Sequence, residues 1–146
     1  MTSDDVLLFQ ELSRDEGRKP VAYTDTVGHK TCGIGHNMDA KPLAAGVKFP
    51  LDDNDIDQIY ADDMEVVFEG LDKDFPWWRD MTYARQRVVA NMCFNMGLHN
   101  LEEFHNTMAA MKDKRYEEAA KGMLDSKWAK QVGHRADLLA DMMIEG

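Results

Sequence analysis

The sequence predicts an α+β fold, mostly helical, on three observations. Apolar residues recur at spacings of three and four through several long stretches. One short segment, 21–36, drops that rhythm for β-branched and aromatic residues interleaved with glycines. At 146 residues, with 44% hydrophobic and 30% charged, the chain suits a single core rather than a disordered chain or a membrane span.

The elements follow in order. Val6, Leu7, Phe9 and Leu12, with Ser3 as N-cap, predict an amphipathic helix that stops near Gly17 and leaves Glu16 at its C-terminus. From Val21 to His36 the residues Tyr23, Thr26, Val27, Thr31 and Ile34 predict a β-hairpin with a tight turn near Val27-Gly28. Pro42, Gly46 and Pro50 make 37–51 a surface connection with room for one more short strand. Ile56, Ile59, Tyr60, Met64, Val67, Phe68 and Leu71 then mark one buried face of a long helix, with Asp52 or Asp53 as its cap.

After a break at Phe75-Pro76-Trp77-Trp78, Ala84, Val88, Met92, Cys93 and Met96 predict a central core helix capped by Thr82 and ending at Gly97. From Leu101 to Ile144 the pattern predicts shorter helices punctuated by Gly122 and Gly133, without an internal repeat. The eleven methionines read as adaptable core filler.

Charge narrows the class of partner. Of the net −10, residues 52–74 supply −9, ten acids against Lys73 alone. Nucleic acid demands a concentrated basic face, and none is encoded. The first ten residues carry two acids and only a four-residue apolar run, so no export signal is read and the chain is expected in the cytoplasm when made. Cys32 and Cys93 are read as two buried reduced thiols. The five histidines (His29, His36, His99, His105 and His134) lack ligand spacing, so no metal or other cofactor is expected.

Glycoside hydrolysis by inversion needs one protonated carboxyl for the leaving oxygen and one carboxylate that activates water on the opposite face. Glu16, at a helix end, and Asp25, on the hairpin, are the pair placed for it. Desolvation and the negative end of a helix dipole both favour the protonated form of a helix-ending carboxyl. The local pattern is equally that of a solvent-facing helix end at Asp15 and Glu16 and of an Asx turn at Asp25-Thr26.

The whole string decides between them. Asp15-Glu16-Gly17, Tyr23-Thr24-Asp25-Thr26-Val27-Gly28 and Thr31-Cys32-Gly33-Ile34-Gly35-His36 together resemble the T-even phage lysozymes of glycoside hydrolase family 24. The similarity runs on through Phe94-Asn95-Met96-Gly97, Phe104-His105-Asn106-Thr107, Glu118-Ala119-Ala120, Ser126-Lys127-Trp128, Gln131 and Arg135, and is poor only over 38–50 and the tail.

The resemblance implies one lysozyme-like domain of two lobes. The β-containing lobe covers about 14–55, the helical lobe 1–13 plus 70–146, and the connecting helix 52–72. It implies Glu16 as proton donor, Asp25 and Thr31 as holders of the attacking water, and Arg135 paired with Glu16 to orient the carboxyl. It further implies a structural pair of His36 with Asp63, and sugar contacts from Phe94, Asn95 and Thr107. The family pattern is broken at Asn37 and Gly122, where relatives often carry Leu and Asn.

The expected partner is therefore the peptidoglycan glycan strand, met by a monomer without membrane insertion, once the cell membrane has been permeabilised. The acid excess fits a hydrolase of a cationic amino-glycan such as chitosan as the alternative enzyme. A non-catalytic glycan-binding module on the same fold is the alternative from another class.

Overall fold

The computed structural model describes residues 2–146. It contains helix α1 (Ser3–Glu16), strands β1 (Lys19–Thr24), β2 (Lys30–Gly33) and β3 (His36–Asn37), and the long helix α2 (Asp53–Asp74). A 3-10 helix (Pro76–Asp80) precedes α3 (Tyr83–Met96), α4 (Leu98–Glu102), α5 (His105–Lys112), α6 (Tyr116–Leu124), α7 (Lys127–Val132) and α8 (His134–Glu145). The predicted class, α+β and mostly helical, is the one found. Contact density divides the chain into two compact units, Met1–Val66 and Val67–Gly146, with the division inside α2.

In the first unit α1 starts one residue earlier than the sequence pattern suggested. Thr2, not Ser3, is the cap: its hydroxyl accepts from Asp5 N at 3.1 Å while Asp5 Oδ2 accepts from Thr2 N at 2.9 Å. That reciprocal box satisfies two otherwise orphaned donors, which Ser3 has no comparable partner to do. α1 buries Leu8 and Leu12 and ends where Gly17 N donates to Ser13 O at 3.0 Å. α2 has the same kind of cap, with Asp55 N donating to Asp52 Oδ1 at 2.7 Å and Asp52 N to Asp55 Oδ2 at 3.2 Å.

The sheet is three-stranded and antiparallel in the order β1-β2-β3. Its register sets Tyr23 opposite Thr31 and Thr31 opposite Asn37, so these three side chains form one row across a single face. The third strand begins at His36, inside the segment read as hairpin. Buried Ile56, Tyr60 and Met64 give α2 an apolar face, and Phe9 meets the Tyr60 ring edge-on at 5.0 Å between centroids. Arg18 reaches the acidic face of α2, donating to Asp57 at 2.8 Å and Asp53 at 3.1 Å.

The second unit is helical, and α3 is its core, with Val88, Val89, Ala90, Asn91, Met92 and Cys93 all buried. Thr82 caps it, as read from the sequence, by accepting from Arg85 N at 3.3 Å. Arg85 closes the other end of the unit, donating to the carbonyls of Met143 and Ile144 at 2.8 and 3.0 Å while lying 3.4 Å over the Tyr116 ring. Met92, Met108, Met111, Met123 and Met143 fill its interior.

Gly122 does not punctuate a helix, contrary to the reading from sequence; it lies inside α6. The reason is steric, because a Cβ there would come 2.3 Å from Thr107 Oγ1 on α5. Gly122 is what lets α6 pack this closely on Thr107, and a larger residue such as Asn would need that hydroxyl to move. Gly133 does separate two helices, α7 and α8. Both cysteines are free and buried; burial pushes the Cys93 thiol up to about 12 and raises that of Cys32 as well.

Among the described residues no helix is long and apolar enough to cross a membrane. No cluster of metal-ligating side chains forms among them either.

Candidate active site

Glu16 is the last residue of α1, and its side chain lies against the backbone of Gly35. A Cβ built on Gly35 would stand 2.8 Å from Glu16 Oε1 and 2.9 Å from its Cβ and Cδ. Gly35 also has φ +58°, a left-handed conformation that an L side chain adopts only with strain. Two separate constraints therefore require glycine here, one from the turn and one from the neighbouring carboxyl. The sequence reading placed Gly35 in the motif without assigning it a role.

Asp25 follows β1 and holds the turn to β2. Its Oδ1 accepts from Val27 N at 3.0 Å and His29 N at 2.8 Å, and its own N donates to His29 O at 2.9 Å. One carboxylate oxygen is thus committed to the turn. The other, Oδ2, faces His29 Nδ1 at 3.8 Å, beyond direct hydrogen-bond range. The carboxylate is rigidly oriented with its second oxygen available to a small polar molecule.

Thr31 is 3% exposed, and its hydroxyl donates to His29 O at 3.0 Å. Because the proton is spent on that carbonyl, Oγ1 presents lone pairs to anything else that approaches. Tyr23 stands beside Thr31 in the cross-strand row, and burial first, then the charges of Glu16 and Asp25, raise its phenol above the ordinary value. Tyr23 therefore lies within the electrostatic reach of both carboxylates. Sequence reasoning quoted Tyr23 as a strand residue and within the family motif, without a role in the site; the pairing register is what sets it beside Thr31.

His36 is buried at the start of β3, with Nδ1 2.7 Å from Asp63 Oδ2 and Nε2 2.8 Å from the carbonyl of Lys41. A carbonyl only accepts and an ionised carboxylate only accepts, so an imidazolium satisfies both. The Asp63 hydrogen bond is the main reason the His36 pKa is raised above 6.5, against the opposing effect of burial. The pair ties the strand lobe to the middle of α2.

The remaining sequence-derived residues belong to the second unit. Arg135 donates through Nε and Nη2 to Asn91 Oδ1 at 3.0 and 2.8 Å. Asn95 Oδ1 accepts from the Trp128 indole at 2.7 Å, and Trp128 is packed edge-on against Phe104 with centroids 6.5 Å apart. Thr107 is 6% exposed, whereas Phe94 is partly exposed on α3.

A helix-ending Glu set against a turn, an oriented Asp and a Thr hydroxyl on the adjoining hairpin are groups of the kind that glycosidic hydrolysis calls for; with the family match that follows, the protein is a glycoside hydrolase. A family model described as Phage lysozyme matches residues 13–141, and the chain belongs to that family.

Similar proteins extend the picture. A probable T4-type lysozyme 1 of Dictyostelium discoideum is 28% identical, over 92% of this chain and 92% of that protein. The pre-baseplate central spike protein Gp5 of Enterobacteria phage T4 is also 28% identical over 95% of this chain, which spans only 28% of that protein's length. The peptidoglycan hydrolase gp36 of Pseudomonas phage phiKMV is 27% identical over 98% of this chain, which covers 16% of it.

Proposed function

We propose that the protein is an inverting muramidase, cutting the β-1,4 bond between N-acetylmuramic acid and N-acetylglucosamine in peptidoglycan, with Glu16, Asp25 and Thr31 as its catalytic residues. The observation that carries this reading is that Asp25 and Thr31 are fixed by one residue, His29, whose N–H donates to Asp25 Oδ1 at 2.8 Å and whose carbonyl accepts from the Thr31 hydroxyl at 3.0 Å. Membership of the phage lysozyme family supports the substrate class.

In this mechanism Glu16 donates its proton to the leaving glycosidic oxygen as that bond breaks. A water donates one hydrogen bond to Thr31 Oγ1, which the His29 carbonyl has left as an acceptor, and the other to Asp25 Oδ2. As the water oxygen bonds to the anomeric carbon, Asp25 takes its proton, so one proton leaves the protein and one returns. Holding the water between two acceptors aims its lone pair, which is the larger part of what the site must do. The resemblance adds Phe94, Asn95 and Thr107 as sugar contacts, with Phe94 and Asn95 partly exposed and Thr107 buried.

The test is the stereochemistry of the product. Digestion of purified peptidoglycan followed by proton NMR is expected to show reducing N-acetylmuramic acid ends appearing first as the α anomer. Appearance of the β anomer would require a covalent intermediate and sink the inverting assignment. Reducing N-acetylglucosamine ends would place the cut at the other bond.

Gly35→Ala provides a second check, because the new methyl must push the Glu16 carboxyl away. A shift of about 1 Å in a catalytic group costs on the order of 10²-fold, and kcat is expected to fall by that factor. The strained φ adds about 1–2 kcal/mol of destabilisation, read as a lower melting temperature. A less stable variant with wild-type kcat would show that the Gly35 contact does not position Glu16.

A further inference from the structure

The turn between β1 and β2 is organised around the backbone of His29. Its N–H donates to Asp25 Oδ1 at 2.8 Å, and its carbonyl accepts from Asp25 N at 2.9 Å and from the Thr31 hydroxyl at 3.0 Å. None of these bonds uses the imidazole. The ring is half-exposed, and its Nδ1 stands 3.8 Å from Asp25 Oδ2. Oδ1 is already committed to Val27 N and His29 N, so Oδ2 is the oxygen left to take a proton from the attacking water.

The 3.8 Å separation exceeds a hydrogen bond, as expected of two acceptors, because an unprotonated Nδ1 and a carboxylate oxygen each present a lone pair. Protonation reverses the interaction. Nδ1 then becomes a donor, and a charge-assisted bond of this kind closes to about 2.7–2.9 Å. The backbone bonds hold both residues in place, so rotation of the half-exposed ring accounts for the closure of about 1 Å. Imidazole is the side chain that ordinarily gains its charge as pH falls from about 8 to about 5.

Other titratable groups neighbour the turn. Tyr23 on β1 feels the charges of Glu16, which closes α1, and of Asp25. Lys30 opens β2 with its N–H held by Asp39 Oδ2 at 3.0 Å, in the turn where Asn37 Oδ1 accepts from Asp39 N and Ala40 N, each at 3.0 Å. Among the described residues the ion pair found for the His29 ring is with Asp25.

We propose that His29 is a positioning residue that sets the acid limit of the reaction: its protonated ring closes on Asp25 Oδ2 and takes the acceptor that the attacking water needs. This rests on the muramidase reading, in which Asp25 is the base. Two effects act together. The water loses one of the two acceptors that aim it, and a carboxylate paired with an imidazolium is a weaker base. With the ring neutral, Oδ2 is open to water again.

His29→Phe removes the titrating nitrogens and keeps the backbone groups that hold Asp25 and Thr31. The kcat of both proteins on peptidoglycan is followed from about pH 8 to about pH 5. Titration of Glu16 cancels in the ratio of variant to wild type, because both proteins carry it. That ratio is expected to rise roughly 2- to 5-fold toward acid pH, the range that an exposed ion pair supports, while the ratio of KM values stays constant. A kcat ratio that is flat, or that falls toward acid pH, overturns the proposal.

The side-chain carboxyl carbon of Asp25 reports the closure without turnover. In the free wild-type protein its resonance is expected to shift in step with the Cε1–H signal of the His29 ring, and the shift is absent from His29→Phe. A carboxyl resonance indifferent to titration of the ring overturns this inference alone. Coupled resonances in a wild type that leaves peptidoglycan uncut would instead overturn the muramidase assignment, and with it the catalytic consequence of the pairing.

Discussion

Glu16→Gln is expected to lower kcat on peptidoglycan by about 10²- to 10⁴-fold, the range that a positioned general acid contributes, with KM changing less than threefold. Gln matches Glu in shape, so the close contact with Gly35 that fixes the side chain survives the change. What is lost is the proton for the leaving oxygen. Loss of kcat at constant KM is the signature of an interaction made in the transition state rather than in substrate binding. Initial rates of reducing-end release at several substrate concentrations provide the measurement. A variant with a normal kcat would move the acid elsewhere in the lobe, and a large rise in KM would make Glu16 a binding residue.

The elements were legible in the sequence where one local rule acted alone. The three-and-four spacing from Ile56 to Leu71 gives the buried face of α2, and Thr82 and Gly97 delimit α3 by their own cap chemistry. Reading failed where two local signals compete or a tertiary neighbour decides. Thr2 and Ser3 are both good caps, and only Asp5 three residues after Thr2 breaks the tie. Gly122 has the look of a breaker, yet it is a space left for Thr107 from another helix.

The site divides in the same way. Glu16, Asp25 and Thr31 could be singled out because the whole motif string resembles a family, although the carboxylates by themselves are two among 27 acids. The parts that local sequence could not supply are relational. Gly35 matters through the carboxyl that rests on it, and Tyr23 through the strand register that sets it beside Thr31. A one-residue slip in that register would send the row to the opposite face, so no count of residue types could have found it.

Asp63→Asn is expected to destabilise the fold strongly, and more at mildly acidic than at alkaline pH. His36 is 4% exposed and loses its anionic partner, leaving a buried imidazolium or forcing it neutral. Breaking a buried pair of this kind costs about 3 kcal/mol, which lowers the melting temperature of a domain this size by roughly 6–12 °C. The sign of the pH dependence follows from the direction of the shift. The folded-state pKa of His36 is raised above 6.5 mainly by the Asp63 hydrogen bond. The protonated ring's contribution is therefore complete below 6.5 and is lost as pH rises through the higher folded value. The gap in melting temperature between wild type and Asp63→Asn should be widest near about pH 5.5 and narrow steadily toward about pH 9. A gap constant across that span would mean a neutral hydrogen bond in place of an ion pair. Because the ring also donates to the Lys41 carbonyl, loss of the charge should loosen the Asn37 turn as well. Amide exchange at Asp39 and Ala40 measures that loosening in the variant, linking the buried pair to the order of the face that carries Thr31.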